Sequence, residues 1–374
     1  MRIKNFLFIA LIFFACDSSK KAEFKSSYKD FYIEDVTFNT STRVSVYLRA
    51  KVFNDKDTDY LLFLNREENR VLIYFQDNFQ LFFESKFDFP DERIIDISPI
   101  SLDEMYLLSE NKKIIKTDTS FNAKEIFEIS FKSTEWEEGY DISSGAYGTD
   151  FCVVDSVAYF DHYPIFVIKN REIANFFFTK RVGVGVNIYD TTQPVNYSFG
   201  FPANYKKQHY SDEHPHRILA NDLEIVSFKA CDTVFVRNIK TQEEHTKALR
   251  SIKAREFVEI DFDSSFDRFY LIKYYTEHFT YGGLFYDKYK NRYYRAVYHG
   301  IPFENPDGTV SSPRDARKSL IVTDEDFNIT NEIDFDNKYS VGFSIPTKRG
   351  VLILKISHEK RKDKKETVFS LFDI

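Results

Sequence analysis

The chain has 374 residues and a formal net charge of −7, which becomes −9 once the first 15 residues, with Arg2 and Lys4, are set aside. An acidic balance excludes a nucleic-acid groove, which needs a basic face. Forty Phe and 24 Tyr beside only 12 Gly and one Trp describe residues that fill pleated, half-buried surfaces, and all-β rings use this length as a single unit.

The N-terminus supplies an address. Arg2 and Lys4 form a positive n-region, and Phe6 to Phe14 an apolar h-region too short to span a bilayer. Ala15 is a small residue immediately before Cys16. That order is a secretory signal rather than a transmembrane helix. A cysteine directly after the cleavage-site residue resembles a bacterial lipobox, and the resemblance implies that Cys16 becomes the first mature residue and carries lipid. Residues 1–15 are therefore expected to be a signal peptide, 16–30 a polar, mobile tether, and 31–374 the folded domain. With about 0.8 kcal/mol from each buried methylene, two or three acyl chains hold a protein firmly to a membrane. No later stretch is apolar over spanning length.

Phe31 to Val52 predicts one or two strands waiting for partners. Asp59 to Pro90 then reads as a complete meander: Tyr60 to Leu64, Val71 to Phe75 and Phe79 to Phe87, separated by polar turns. Short aromatic and β-branched runs at this spacing predict antiparallel hairpins. The pattern repeats. A second unit starts near Asp103 and a third at Asp150, including Phe151 to Val154, Ser156 to Phe160, Ile165 to Ile168 and Ile173 to Phe178. A fourth holds Leu223 to Phe228 and Thr233 to Ile239. A fifth has strands at Arg268 to Tyr275, Leu284 to Tyr289 and Tyr293 to Tyr298, with a hairpin signal at Gly282-Gly283. A last unit runs from Ser319 to Asp373. Six repeats of roughly 40 to 50 residues predict a six-bladed β-propeller, all-β, closed by pairing the terminal strand with an N-terminal one. Closure removes open sheet edges.

Candidate chemistry is sparse. The loop from Phe199 to His216 holds His209, Tyr210, Asp212, Glu213, His214 and His216, and long insertions between strands are where binding residues concentrate. It is the candidate ligand-binding loop. It lacks a His-Glu-x-x-His or Cys/His pattern, so no metal and no cofactor is assigned. Asp55 to Asp59 lacks the glycine and closing glutamate of a calcium loop and reads as a solvated turn. Gly183-Val-Gly185 lacks a third glycine at dinucleotide-binding spacing and reads as close-approach glycines in a strand. No Gly-x-Ser-x-Gly elbow occurs, and no catalytic residue is assigned. Cys152 and Cys231 sit in strand-like runs, either bridged or free. The basic run Lys360 to Lys365 reads as a loop tip between strands, and the aromatic residues of the fifth unit as blade packing.

The lipobox, the run Leu61-Leu-Phe-Leu-Asn65, the segment Ile321-Val-Thr-Asp-Glu-Asp-Phe-Asn-Ile-Thr-Asn-Glu332 and the closing Glu366-Thr-Val-Phe-Ser-Leu-Phe-Asp373 together resemble the bacterial lipoproteins grouped as DUF4221. The resemblance covers the mature chain and implies a β-propeller-like protein of Gram-negative bacteria. It carries no catalytic residues, and the function of that family is unknown. The expectation is a lipid-anchored, periplasm-facing outer-membrane protein that binds a protein or glycan partner through the loops at 199–217 and 299–317. The alternative is an enzyme acting on glycan or peptide through channel carboxylates and loop histidines.

Overall fold

The structure, a computed structural model, describes residues 27–39, 48–87, 89, 91–130, 140–143, 150–164, 177–181, 183–205, 215–261, 263–356 and 366–374. The lipobox with Cys16, the loop residues His209, Tyr210, Asp212, Glu213 and His214, and the basic run all lie outside them.

Six small antiparallel sheets make a six-bladed propeller. The first strand, β1 (Tyr32–Asn39), belongs to the last blade. Blade 1 follows as β2 (Leu48–Asp55), β3 (Thr58–Asn65), β4 (Arg70–Phe75) and β5 (Leu81–Lys86), and blade 2 as β6 (Ile94–Pro99), β7 (Met105–Ser109), β8 (Lys113–Thr117) and β9 (Glu125–Glu128). In blade 3 the inner strand comes in two pieces, β10 (Tyr140–Ser143) and β11 (Cys152–Val154), both paired with β12 (Val157–Pro164), ahead of β13 (Gly183–Asn187) and β14 (Asp190–Tyr197). Blade 4 contains β15 (His216–Ala220), β16 (Leu223–Ser227), β17 (Thr233–Asn238) and β18 (Glu244–Ala248). Blade 5 contains β19 (Thr280–Asp287), β20 (Arg292–His299), β21 (Arg317–Thr323) and β22 (Ile329–Phe335). Blade 6 is β23 (Tyr339–Thr347), β24 (Gly350–Lys355), β25 (Glu366–Phe372) and the returning β1. The terminal strand β25 pairs antiparallel with β1, from Tyr32 opposite Phe372 to Asn39 opposite Glu366, so the ring closes as expected.

Central strands are sandwiched between neighbouring blades and bury both faces. Leu61, Leu62, Phe63 and Leu64 of β3 are all inaccessible, which is why they read as an unbroken apolar run rather than an alternating one. Outer strands face water: Glu125–Glu128 and Glu244–Ala248 are largely exposed. Apolar clusters fill the seams. One joins Leu62, Leu64 and Ile73 of blade 1 to Ile97, Met105 and Leu107 of blade 2. Another joins Phe38, Phe369 and Leu371 of blade 6 to Leu61, Phe63 and Tyr74 of blade 1.

Three expectations need correction. Residues Arg268–Glu277 form not a strand but a helix, α1, capped by Asp267, whose carboxylate accepts from the backbone of Phe269 at 2.7 Å and Tyr270 at 3.4 Å. An N-cap of this kind satisfies amides that a strand would leave to the sheet. Gly282-Gly283 is not a hairpin turn. The two glycines lie inside β19, where the register to β20 slips between Tyr281 and Leu284, and a Cβ at Gly282 would sit 2.4 Å from the Tyr298 ring. Finally, β21 and β22 complete blade 5 rather than opening blade 6.

Tyr28–Asp30 is a 3-10 turn. The Tyr28 ring stacks on Phe335 at 5.5 Å and its hydroxyl donates to Asp336 at 2.9 Å, against the junction of blades 5 and 6.

Candidate functional site at the insertion face

Strand direction alternates within each blade, so its connections fall on two faces of the ring. On one face lie the links between the first and second strands and between the third and fourth. These are tight: 56–57, 155–156, 188–189, 221–222 and 348–349, with 118–124 the longest. On the other face lie the links between second and third strands and those from blade to blade. They include 165–182, 198–215, 249–279 and 300–316. Backbone bonds are consistent with the shared face: Phe87 donates to the carbonyl of Asn69 at 2.8 Å, and Tyr281, at the start of β19, to that of Lys229 at 2.9 Å. The described ends of the 199–217 loop and the 299–317 loop therefore share this insertion face.

The start of the 198–215 link is anchored by rings. Phe177, Phe178, Phe201, Tyr205 and Phe228 pack with centroids 5.0–5.8 Å apart, and the amide of Ala230 donates to the Tyr205 hydroxyl at 2.8 Å. His216, read as a loop residue, is the first residue of β15 and is buried, opposite Ser227. It is a strand-packing residue by position.

Across blades 4 and 5 the face carries a built platform. The 300–316 link folds on itself through Asn305 to Thr309 and Ser311 to Phe303 backbone bonds of 2.9 and 2.7 Å. It docks on α1 through Ile301 to Thr276 at 2.9 Å and through the Phe269–Phe303 edge contact at 5.2 Å. Phe269 and Val310 remain about three-fifths exposed, at 60% and 61%, which leaves apolar surface on this platform facing outward.

Charged side chains on the first strands of the blades meet partners on their neighbours. Lys51 of β2 reaches Asp150 at 2.8 Å and Asp96 of β6 at 3.7 Å. Asp96 also accepts from the amide of Phe151 at 3.1 Å, and Ser98 from that of Val153 at 2.9 Å. Arg217 of β15 donates twice to Asp161 of β12, at 3.1 and 2.9 Å, both side chains fully buried. Arg237 faces Glu224 across one strand pair at 2.6 Å. The Lys51–Asp96 contact staples blade 1 to blade 2 and the Arg217–Asp161 contact blade 3 to blade 4, whereas the Arg237–Glu224 pair lies within blade 4. A buried pair of this kind contributes little net stability but is costly to break by removing one partner.

The described residues offer no activated nucleophile. Cys152 and Cys231 are both free thiols, and burial pushes Cys152 up to about 12 despite nearby Arg217 and Lys51, so its thiolate is suppressed. His299 lies 2.9 Å from the Ser319 hydroxyl, a spacing compatible with base and nucleophile. Yet Ser319 is inaccessible, and its hydroxyl donates to Glu332 at 2.7 Å. Glu332 also accepts from the Ser251 hydroxyl and the Ile252 amide at 2.8 and 2.9 Å. The set is a hydrogen-bonded relay that ties the 249–279 link to blade 5. No group of His, Cys, Asp and Glu suited to a metal occurs among the described residues.

The relay has a pH consequence. Burial holds His299 below the ordinary histidine range, outweighing the opposite pull of Glu332 and Asp334, with Lys253 and Arg255 acting alongside burial. The unfolded chain thus binds a proton more readily than the folded one. Stability from this site is complete above the unfolded value, about 6.5, and is lost as pH falls below it towards the folded value. Thermal denaturation is expected to show lower stability at pH 5 than at pH 7.5, with a smaller difference in His299→Gln. An unchanged difference in that variant would assign the acid sensitivity elsewhere.

A family model described as a domain of unknown function (DUF4221) matches residues 22–334. Among solved structures, a DUF4221 family member from Bacteroides vulgatus ATCC 8482 is similar with a TM-score of 0.73 at 16% identity, covering 91% of this chain and 97% of that one. A putative exported protein from Bacteroides fragilis NCTC 9343 aligns over 90% of this chain and 98% of its own, at 7% identity and a TM-score of 0.49. No curated protein matches the chain.

Proposed function

The chain belongs to the DUF4221 family, and from that premise we propose that it is a non-enzymatic binding protein of the cell envelope that holds a protein or glycan partner on its insertion face. The observation that carries this reading is the division of the connections. Tight hairpins close one face, while the strands joined by residues 165–182, 198–215, 249–279 and 300–316 end on the other, and loops set on a rigid scaffold are where recognition residues gather. Lys51, Asp96, Asp150, Asp161 and Arg217 are engaged in ties between blades, which favours a scaffold over a reaction centre.

In this reading Cys16 is the lipid attachment point, and the protein is held at the outer membrane, facing the periplasm. The sequence Arg2 to Cys16 supports it.

The test is affinity capture from envelope extract with a soluble form starting at Ser18, beside the same form carrying His209→Ala and His214→Ala. His216 is left intact because it is buried in β15. The expected result is a defined protein or glycan retained by the intact form and lost from the variant. Retention by both forms would remove the histidine loop from the site, and consumption of a glycan or peptide mixture by the intact form would overturn the binding reading. In cells, Cys16→Ser is expected to abolish incorporation of labelled palmitate and release the protein from the membrane fraction.

A further inference from the structure

We propose that Tyr28, Lys29, Tyr32, Ile33, Tyr339 and Lys355 seat the propeller on the bilayer surface, with the two ammoniums on lipid phosphates and the rings and Ile33 among the headgroup carbons. The proposal rests on the reading of Cys16 as the lipid attachment point and adds the orientation that a lipid on a tether does not supply.

Tyr28, Lys29, Tyr32, Tyr339 and Lys355 line an open recess of about 230 Å³. It lies at the outer rim of the seam between blades 5 and 6: Tyr32 belongs to β1, outermost in blade 6, and Tyr28 stacks on Phe335 of β22, outermost in blade 5. Its aromatic wall is packed from behind. Tyr28 meets Tyr339 at 5.1 Å and Phe372 at 6.2 Å, and Tyr32 meets Phe372 at 6.0 Å. The register of β1 against β25 slips between Tyr32 and Glu34, which leaves Ile33 outside the ladder. A bulge re-aims side chains. Tyr32 and Ile33 are both nearly half exposed, at 45% and 46%, where strict alternation would turn one of them inward.

Asp336 and Asp35, the carboxylates bonded to residues of the recess, are answered within the protein. Asp336 accepts from the Tyr28 hydroxyl at 2.9 Å, and Asp35 from Lys355 and the Ser370 hydroxyl. The exposed Lys29 ammonium pairs with no carboxylate among the described residues. Lys355, 36% exposed, gives one of its three donors to Asp35 and keeps two. Tyrosine rings at headgroup level beside lysines on phosphate are the chemistry of a membrane–water interface. The path of the chain favours the bilayer over a soluble anion. Ser27, which opens the turn into the recess, lies eleven residues after Cys16, a reach of at most about 40 Å when fully extended. A lipid on Cys16 therefore holds this rim beside the bilayer at high effective concentration, where a few weak contacts suffice to fix its orientation.

The experiment sediments the soluble form starting at Ser18 with vesicles of phosphatidylethanolamine and phosphatidylglycerol in equal parts, and with phosphatidylcholine alone. Wild type is compared with Lys29→Gln, Tyr32→Ser and the control Lys86→Gln, which removes an exposed charge from the outer strand of blade 1. Wild type is expected to partition onto the anionic vesicles, and less so at high salt. Lys29→Gln should lower the partition coefficient by about fivefold, the effect of one basic residue at an anionic surface, and flatten its salt dependence. Tyr32→Ser should lower it several-fold with the salt dependence kept, and Lys86→Gln should match wild type. Lys29 is exposed, so its variant should keep the wild-type thermal midpoint. Amine labelling of the full lipidated protein in the same vesicles gives a second reading: Lys29 is expected to be protected relative to the soluble form, and Lys86 to be labelled equally in both. Equal partition of wild type and Lys29→Gln, or equal labelling of Lys29 with and without vesicles, overturns the proposal. Protection of Lys29 by a lipid-free envelope extract but not by vesicles would give the recess to a soluble partner and overturn it too. Absence of lipid on Cys16 would instead remove the anchor, and sedimentation of the soluble form would still read the seat.

Discussion

Replacing Phe38 by alanine is expected to lower the free energy of unfolding by about 3–5 kcal/mol, the range for a fully buried phenylalanine whose cavity collapses only in part. Phe38 sits near the end of β1, the strand that returns from the N-terminus to finish blade 6. It is inaccessible and touches rings on two blades. Phe63, Tyr74 and Phe79 of blade 1 lie at 5.1, 5.0 and 5.6 Å, and Phe369 of blade 6 at 5.7 Å. Three of the four meet it edge-on beyond 70°, an arrangement that adds to simple area burial. Its loss therefore weakens the closing pairing of β1 with β25 together with the seam between the last and first blades. Chemical denaturation should show the loss as a shifted midpoint. If β1 also detaches, β25 becomes an open edge and the variant should associate on gentle heating, visible by light scattering. A cost below about 1 kcal/mol would mean that the ring is not held by this strand.

The central strands were legible because both of their faces are buried. Tyr60 to Leu64 and Val71 to Phe75 announce themselves as apolar runs, and the structure places β3 and β4 over them. The flanking strands β2, β6 and β15 carry Arg49, Lys51, Asp96 and Arg217 among apolar residues. Lys51, Asp96 and Arg217 find partners on other blades, so no local pattern marked them. Helix α1 was hidden by composition: Arg268–Glu277 is rich in Tyr, Phe and Ile, which favour strands, and its only sequence signal was Asp267 at the cap. The division between blades 5 and 6 was misplaced because 300–316 resembles a boundary, whereas it is an excursion between two strands of one sheet. The site was legible as loops and not as contacts. The ties from Lys51 to Asp150 and from Arg217 to Asp161 join residues far apart in sequence, and only the closed ring brings them together.

Arg295→Ala is expected to be comparably severe, for a different reason. Arg295 lies in β20, fully buried, and among the described residues its guanidinium bonds to carbonyl oxygens rather than to a carboxylate. Its Nη1 donates to the carbonyl of Leu249 at 2.9 Å, and its Nη2 to those of Phe228 and Cys231 at 3.0 and 2.7 Å. The guanidinium lies 3.5 Å over the face of Tyr281, whose hydroxyl accepts from the Ser251 amide and donates to Asp232 at 3.0 and 2.5 Å. One side chain thus satisfies the end of β16, the turn after it and the exit from β18, and clamps blade 4 to blade 5. Burial lowers Arg295 to about 10, so it remains charged at neutral pH, and its desolvation is offset by carbonyl dipoles and the ring. Alanine would leave three buried carbonyls without this donor and open a cavity under Tyr281. At about 1–3 kcal/mol for each unsatisfied group, partly recovered by water entering the space, a total of about 3–5 kcal/mol is expected. Arg295→Lys keeps the charge but not the fork, and should recover less than half of the loss. Hydrogen exchange distinguishes this clamp from a general core defect: protection should fall first at Phe228 to Asp232 and Leu249 to Ser251, while blades 1 and 2 keep theirs. A uniform loss across all six blades would mean that the ring unfolds as one unit and that Arg295 holds no seam in particular.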